Sequence, residues 1–262
     1  MQFNESITAI ISTSPVYCNP STEIVDETYA QLRKHLPSVK VILLMDGVHP
    51  EQPHLADRYA GFKESMRQKQ RDDFVCVEFP AWQHQSGTLQ SAVIDQNLVS
   101  TPLIFWTEHD IPLSDAHIDW QGIIDTILGG ELTGVQFELT GEGMSPSFQS
   151  RNGLSFAHRS AGGGWPQVVQ SGAFRQYLKS FGSSKTYLEN GDGDASLLAP
   201  YAVYAPSGDV CRCYHIDGRQ RKAHPNQGTR KPYLEIREIG KPYVETQKGR
   251  WYVGSPYIPG QE

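Results

Sequence analysis

The chain has 262 residues, a net charge of −6, 38% hydrophobic and 20% charged residues. That supplies a sizeable core and excludes both a disordered chain and a global basic field of the kind that gathers nucleic acid. The longest apolar runs, such as residues 41–45 and 103–106, are far too short to cross a bilayer. Residues 1–5 lack the basic and apolar regions of a secretory signal. Cys18, Cys76, Cys211 and Cys213 form no C-x-x-C pair, so a reducing, cytoplasmic setting is expected.

Along the chain, residues 7–12 (ITAIIS) read as a buried strand that empties into a Ser/Thr/Pro loop. Ser21 or Thr22 can cap a helix over residues 24–36, whose Ile24, Val25, Thr28, Leu32 and Leu36 recur at helical spacing. KVILLM (40–45) is a second strand ended by Asp46-Gly47. An amphipathic helix over 51–71 follows, then a third strand, 74–79. Gly87 opens a helix running to about residue 99, and a fourth strand covers 103–107. This alternation predicts an α/β fold with a mostly parallel sheet and helices on both faces. The loops after its strands (13–20, 46–53, 80–87 and 108–113) then gather at one ligand-binding edge.

A helix over 119–128 and a strand over 133–139 come next. The Gly- and Ser-rich stretch 141–164 reads as a long loop or lid. A brief strand (167–170), a helix (172–181), a polar loop (183–194) and a mildly apolar segment (195–204) close the body. From residue 218 a Pro-, Gly- and Lys/Arg-rich extension follows, so residues 1–217 are expected as one domain and 218–262 as an appendage packed on it. Residues 212–250 hold ten Lys/Arg against four Asp/Glu, which fits either a phosphate-bearing ligand or a solvated charged tail.

The strongest chemical signal is Pro102-Leu-Ile-Phe-Trp-Thr-Glu108-His109-Asp110, an apolar strand that breaks off in two acids and an imidazole. Two carboxylates one residue apart can hold a divalent cation against a diphosphate, or simply cap the next segment. This strand end and the order of elements resemble a GT-A-type glycosyltransferase. The stretch Thr101-Pro102-Leu103 with Glu108-His109-Asp110-Ile111-Pro112-Leu113 is similar to inverting, family-2-like bacterial transferases over about residues 7–217.

The resemblance puts Glu108-x-Asp110 in the place of that fold's D-x-D motif, with Glu standing for the first Asp. It implies a nucleotide-sugar donor and a divalent metal, Mn or Mg, held by Asp110 with His215 as a further ligand. Glu108 would contact ribose, and Ser12, Thr13, Asp46 and the backbone near Gly87 the rest of the donor. Asp46 also reads as an ordinary Asp-Gly turn, and Gly87 as a plain helix start. By the same resemblance Glu189 is the general base, preferred over Asp192 and Asp194, with Tyr187-Leu188 anchoring it. Trp165 and Asp192 fall on the acceptor side, though Trp165 reads equally as a core residue and the acids 189, 192 and 194 as a solvated Gly-Asp loop. The acceptor is expected to be a glycan or lipopolysaccharide, or else hydroxymethylated DNA drawn to the basic tail with its interleaved Tyr233, Tyr243, Trp251 and Tyr252.

Three rival readings stand beside this one. Cys211, Cys213 and His215 alternate and on a strand would share a face suited to zinc, without an evident fourth ligand. A nucleotidyltransferase shares the strand–acid–metal logic but needs a Gly-rich basic loop, which residues 13–20 lack. A non-catalytic nucleotide- or sugar-binding module of the same fold would bind without turnover.

Overall fold

The computed structural model describes residues 3–16, 18–137, 146–158, 165–183, 185–188, 192–206, 212–214, 216–217, 231–232, 243–246 and 249–252. Five helices and a large sheet make up the body: β1 (Ile7–Thr13), α1 (Glu23–His35), β2 (Lys40–Met45), α2 (Ala56–Arg67), β3 (Phe74–Glu78), α3 (His84–Gln90), β4 (Leu103–Glu108), α4 (Trp120–Leu128), β5 (Gly134–Gln136), β6 (Phe148–Gln149), β7 (Ser155–His158), β8 (Gln167–Gln170), α5 (Ser171–Ser180) and β9 (Tyr201–Tyr204). The nine strands lie in the order β3-β2-β1-β4-β8-β5-β9-β7-β6.

β3, β2, β1 and β4 run parallel, and all seven residues of β1 are buried, as a strand covered on both faces requires. β8 enters antiparallel between β4 and β5, and β7 runs antiparallel to β9 and β6. Seven of the nine strands therefore share one direction.

The helices divide by face. Val25 and Leu32 of α1, Tyr59 and Phe62 of α2, and Ile123, Ile124 and Ile127 of α4 pack on one side of the sheet. Leu89 of α3 and Phe174, Tyr177 and Leu178 of α5 pack on the other. α3 continues as a π-helical turn, Ser91–Asp95, and Arg175 of α5 donates to the Val93 carbonyl within it and to the Val99 carbonyl beyond it.

The chain winds from β1 outward to β2 and β3, then returns so that β4 lies on the other flank of β1. The connections leaving β1 and β4 thus depart in opposite directions and open a crevice at their carboxyl ends.

Besides α3, which begins at His84 rather than at Gly87, two local features differ from the sequence expectation. Residues 51–71 split into a 3-10 turn, Pro53–Leu55, and α2, because Pro53 at the first position starts a tight turn. The stretch 141–164 is not loop throughout: β6 and β7 pair as a hairpin closed at Asn152-Gly153, with Gly153 at φ 85°. Beyond the body, Ile216–Asp217 pairs with Lys231–Pro232, and Tyr243–Thr246 with Gly249–Tyr252. Most of the C-terminal extension lies outside the described residues. Among the described residues, no helix is long and apolar enough to cross a membrane.

Candidate functional site

A cavity of about 500 Å³ opens at the carboxyl edge of the sheet, within the range of small-molecule sites. Its floor is made by neighbouring strand ends. Ser12 of β1 lies in register with Glu108 of β4, and the Asp46 N–H, just past β2, donates to the Thr13 carbonyl at 3.1 Å. Ser12, Thr13, Asp46 and Glu108 all line the cavity, so four residues expected at the donor meet in one place. Buried Trp106 fixes the first of them, its Nε1 donating to Ser12 Oγ at 3.0 Å. That leaves the Ser12 O–H free to turn toward a ligand.

Asp46 is 4% exposed and holds the opposite wall together. Its Oδ1 accepts from the N–H groups of Gly47 (2.7 Å) and Gln83 (2.8 Å), and its Oδ2 from that of His84 (2.9 Å). Burial raises its pKa, against these three bonds that favour the carboxylate. The loop after β3 comes so close that a Cβ on Gly47 would sit 2.2 Å from the Ala81 carbonyl carbon. His84 is drawn into φ 62°, a strained conformation for a non-glycine residue. Its Nδ1 accepts the Gln85 N–H at 2.9 Å, which requires an unprotonated nitrogen, and burial lowers its pKa in the same sense. Around it the rings of His49, Trp82, His84 and Tyr187 meet edge to face, with centroids 4.1–5.3 Å apart, along the cavity.

Gln85 joins two sides of the site. Its Nε2 donates to Glu108 Oε1 (2.8 Å) and its Oε1 accepts the Leu188 N–H (2.7 Å). Ser86 and Thr186 bond reciprocally, Ser86 N–H to the Thr186 carbonyl and Thr186 N–H to Ser86 Oγ, both at 3.0 Å. Residues 185–188 are thereby laid against the start of α3, and Lys185, Thr186 and Tyr187 line the cavity.

No family model matches the chain, and no curated protein matches it in sequence. Solved structures do match. A fragment of S. aureus TarS, residues 1–349 in complex with UDP-GlcNAc, superposes with a TM-score of 0.52 at 9% identity, over 88% of this chain and 64% of that one. The fold is GT-A-like. Of the longer TarS chain this one spans 36%. A mannosyltransferase from Pyrobaculum calidifontis, PcManGT, in complex with GDP-Man and Mn2+, has a TM-score of 0.42 at 12% identity, over 76% of this chain and 56% of that one. A 4-diphosphocytidyl-2C-methyl-D-erythritol synthase has 0.44 at 11%, over 79% and 92%.

At the GT-A strand end, Glu108 and Asp110 part. Glu108 faces the cavity. Asp110 is 5% exposed and does not line it. Its charge is among the lesser causes, after burial, that push the Cys18 thiol up to about 11. The backbone explains the separation. The Thr28 hydroxyl of α1 donates to the His109 carbonyl, and the Ile216 N–H to the Asp110 carbonyl at 2.8 Å, which pin the turn after β4. The Tyr214 N–H donates to the Pro112 carbonyl (3.1 Å) and the Ser114 N–H to that of Arg212 (2.9 Å), so residues 212–214 run antiparallel along 112–114.

Of the donor set expected for a divalent ion, Asp110 does not line the cavity and His215 lies outside the described residues. One carboxylate of the pair is outside the cavity and the other is bonded by Gln85. Among the described residues no cluster of three His, Cys, Asp or Glu could hold a metal. His215 lies outside the described residues, as does Cys211 of the alternative zinc set; Cys213 is buried with its thiol toward the Phe137 carbonyl.

Gly87 sits inside α3 rather than at its start and does not line the cavity. The first N–H groups of that helix are already taken, His84 by Asp46, Gln85 by the His84 ring and Ser86 by Thr186, so no backbone cradle for an anion forms there. Trp165, half-buried, and Asp192, exposed, also lie off the cavity. Glu189 lies outside the described residues. Of its expected anchors, Leu188 is buried, with its carbonyl accepting from the Tyr177 hydroxyl at 3.1 Å, whereas Tyr187 stands at the cavity rim. Single-sequence reading missed His49, Trp82, His84, Gln85 and Lys185 as individual lining residues. The only signal was their place in the loops after β2 and β3 and before Glu189.

Proposed function

We propose that the chain is a nucleotide-sugar-dependent glycosyltransferase that moves a sugar to an acceptor hydroxyl with inversion. The observation that carries the reading is the convergence of Ser12, Thr13, Asp46 and Glu108, from three adjacent strand ends, on one cavity at the switch point of a GT-A-like sheet. The TarS fragment that shares this fold is bound to UDP-GlcNAc, and we carry that ligand class, a nucleoside diphosphate sugar, to this cavity. Residues 1–217 carry the transferase in this reading, and 218–262 extend it.

The reaction exchanges two bonds at the anomeric carbon. The acceptor oxygen attacks, the bond to the diphosphate oxygen breaks, and its electron pair leaves with the nucleoside diphosphate. The acceptor proton passes to a carboxylate. We assign that role to Glu189, because Leu188 beside it is held by Gln85, the residue that also holds Glu108. Ser12 and Thr13 offer hydroxyls to the donor, and the rings of Trp82 and Tyr187 a surface for a base or sugar.

A panel of nucleotide-sugars scored by thermal shift, then by release of nucleoside diphosphate, tests the reading. One donor should raise the melting temperature by mass action and be turned over. A panel without any shift refutes the reading. A shift without turnover favours the non-catalytic module. Glu189→Gln should cut turnover ~100-fold, the scale of losing a general base, with donor binding intact. Asp192→Asn should be mild. Near-normal turnover in Glu189→Gln rules out the assigned base.

A further inference from the structure

We propose that Lys185 supplies the positive charge that holds the donor's diphosphate, in place of a carboxylate-bound divalent cation. This rests on the reading of the cavity as a nucleotide-sugar site. The first support is charge. Asp46, Glu51 and Glu108 line the cavity, so a diphosphate entering it meets carboxylates and must find a cation to be held. Lys185 is the single Lys or Arg among the described lining residues. His84 does not serve, because its Nδ1 is occupied as an acceptor from the Gln85 N–H.

The second support is the geometry of the acids. A cation bridging Glu108 and Asp110 needs both carboxylates on one side, and only Glu108 faces the cavity.

The third is how Lys185 is mounted. Its chain neighbour Thr186 is locked to Ser86 by two hydrogen bonds, one to its carbonyl and one from its N–H, and the Leu188 N–H is held by Gln85, so the main chain is fixed against α3. The ammonium itself makes one long bond, 3.3 Å to the Trp82 carbonyl, and keeps two N–H groups for a ligand. As the bond between the anomeric carbon and the diphosphate oxygen breaks, the electron pair stays on that oxygen. Lys185 donates to the diphosphate as its charge grows, which makes it a catalytic residue acting on the leaving group.

The test is calorimetric titration of UDP and GDP, and of uridine and guanosine, into the wild type, Lys185→Ala, Lys185→Arg and Asp110→Ala, each in EDTA and again with Mn2+. The wild type should bind one diphosphate equally well in both conditions. Lys185→Ala should weaken that binding ~10- to 100-fold, the scale of a charge-assisted hydrogen bond. It should leave nucleoside binding unchanged. Lys185→Arg should restore most of the loss, and Asp110→Ala should bind as the wild type does. Lys185 is exposed, so its variants should melt with the wild type. Binding that collapses in EDTA, or a Lys185→Ala protein that binds like the wild type, overturns the role of Lys185 alone. A wild type that takes up neither diphosphate in either condition overturns the reading of the cavity as well.

Discussion

Gln85 ties the acid at the end of β4 to the segment that precedes Glu189, and both bonds use its side chain. Gln85→Ala strands the buried Leu188 N–H and takes one donor from Glu108. Stability should fall by about 1–3 kcal/mol in urea melts, the penalty of one unsatisfied buried group, and donor affinity should fall with it. Unchanged melts would mean that the bridge contributes nothing. His84 gives the site a pH dependence. Its folded pKa lies below the ordinary 6.5, so between the two values the unfolded chain binds a proton that the folded chain refuses. Stability is therefore lost as pH falls from above 6.5 through the folded pKa. Asn tolerates positive φ and cannot take up a proton in this range, so His84→Asn should flatten that part of the melting-temperature profile. His35, also shifted downward by burial, keeps its own contribution in both proteins. An equal pH slope in wild type and variant would remove His84 from the account. At this scale the sequence was legible where a polar residue ends a strand, as with Asp46 and Glu108. It was opaque where a side chain reaches the cavity from a loop, as with Trp82 and Lys185, because local pattern carries no record of long-range approach.

Among the elements, β1, β2 and β4 are readable as unbroken apolar runs because helices cover both of their faces. The start of α3 is not. Helix geometry begins at His84, a residue at positive φ that no propensity favours, because Asp46 accepts its N–H from across the sheet edge. The β6–β7 hairpin escapes a periodicity reading because its strands hold two and four residues, leaving Asn152-Gly153 as the only turn signal. Gly47→Ala should destabilise by about 3 kcal/mol or prevent folding, since its methyl meets backbone atoms that cannot rotate away. A melting temperature equal to that of the wild type would contradict the close approach of the loop after β3. Gln136 on β5 is fully buried, with neither amide atom bonded. Gln136→Met, nearly isosteric, should stabilise by about 1 kcal/mol, because an unmet donor and acceptor are replaced by apolar surface. A loss of stability would mean that the amide has a partner in solution.

For the molecule as a whole, sheet order decides where a ligand goes. Winding outward from β1 to β3 and back to β4 leaves one crevice, and the loops after β1, β2 and β3 and the turn after β4 all reach it. That much follows from alternating strands and helices and right-handed crossovers. The reversal of β8 and the turning aside of Asp110 do not, since both depend on segments far apart in the chain. The most direct test of the central claim is amide hydrogen exchange with and without the nucleoside diphosphate that binds. Protection should appear in residues 12–16, 49–52, 82–88 and 185–188, and leave α4 and the β6–β7 hairpin unchanged. Protection confined to other surfaces, with these four segments exchanging as in the free protein, would contradict the assignment of this cavity as the donor site.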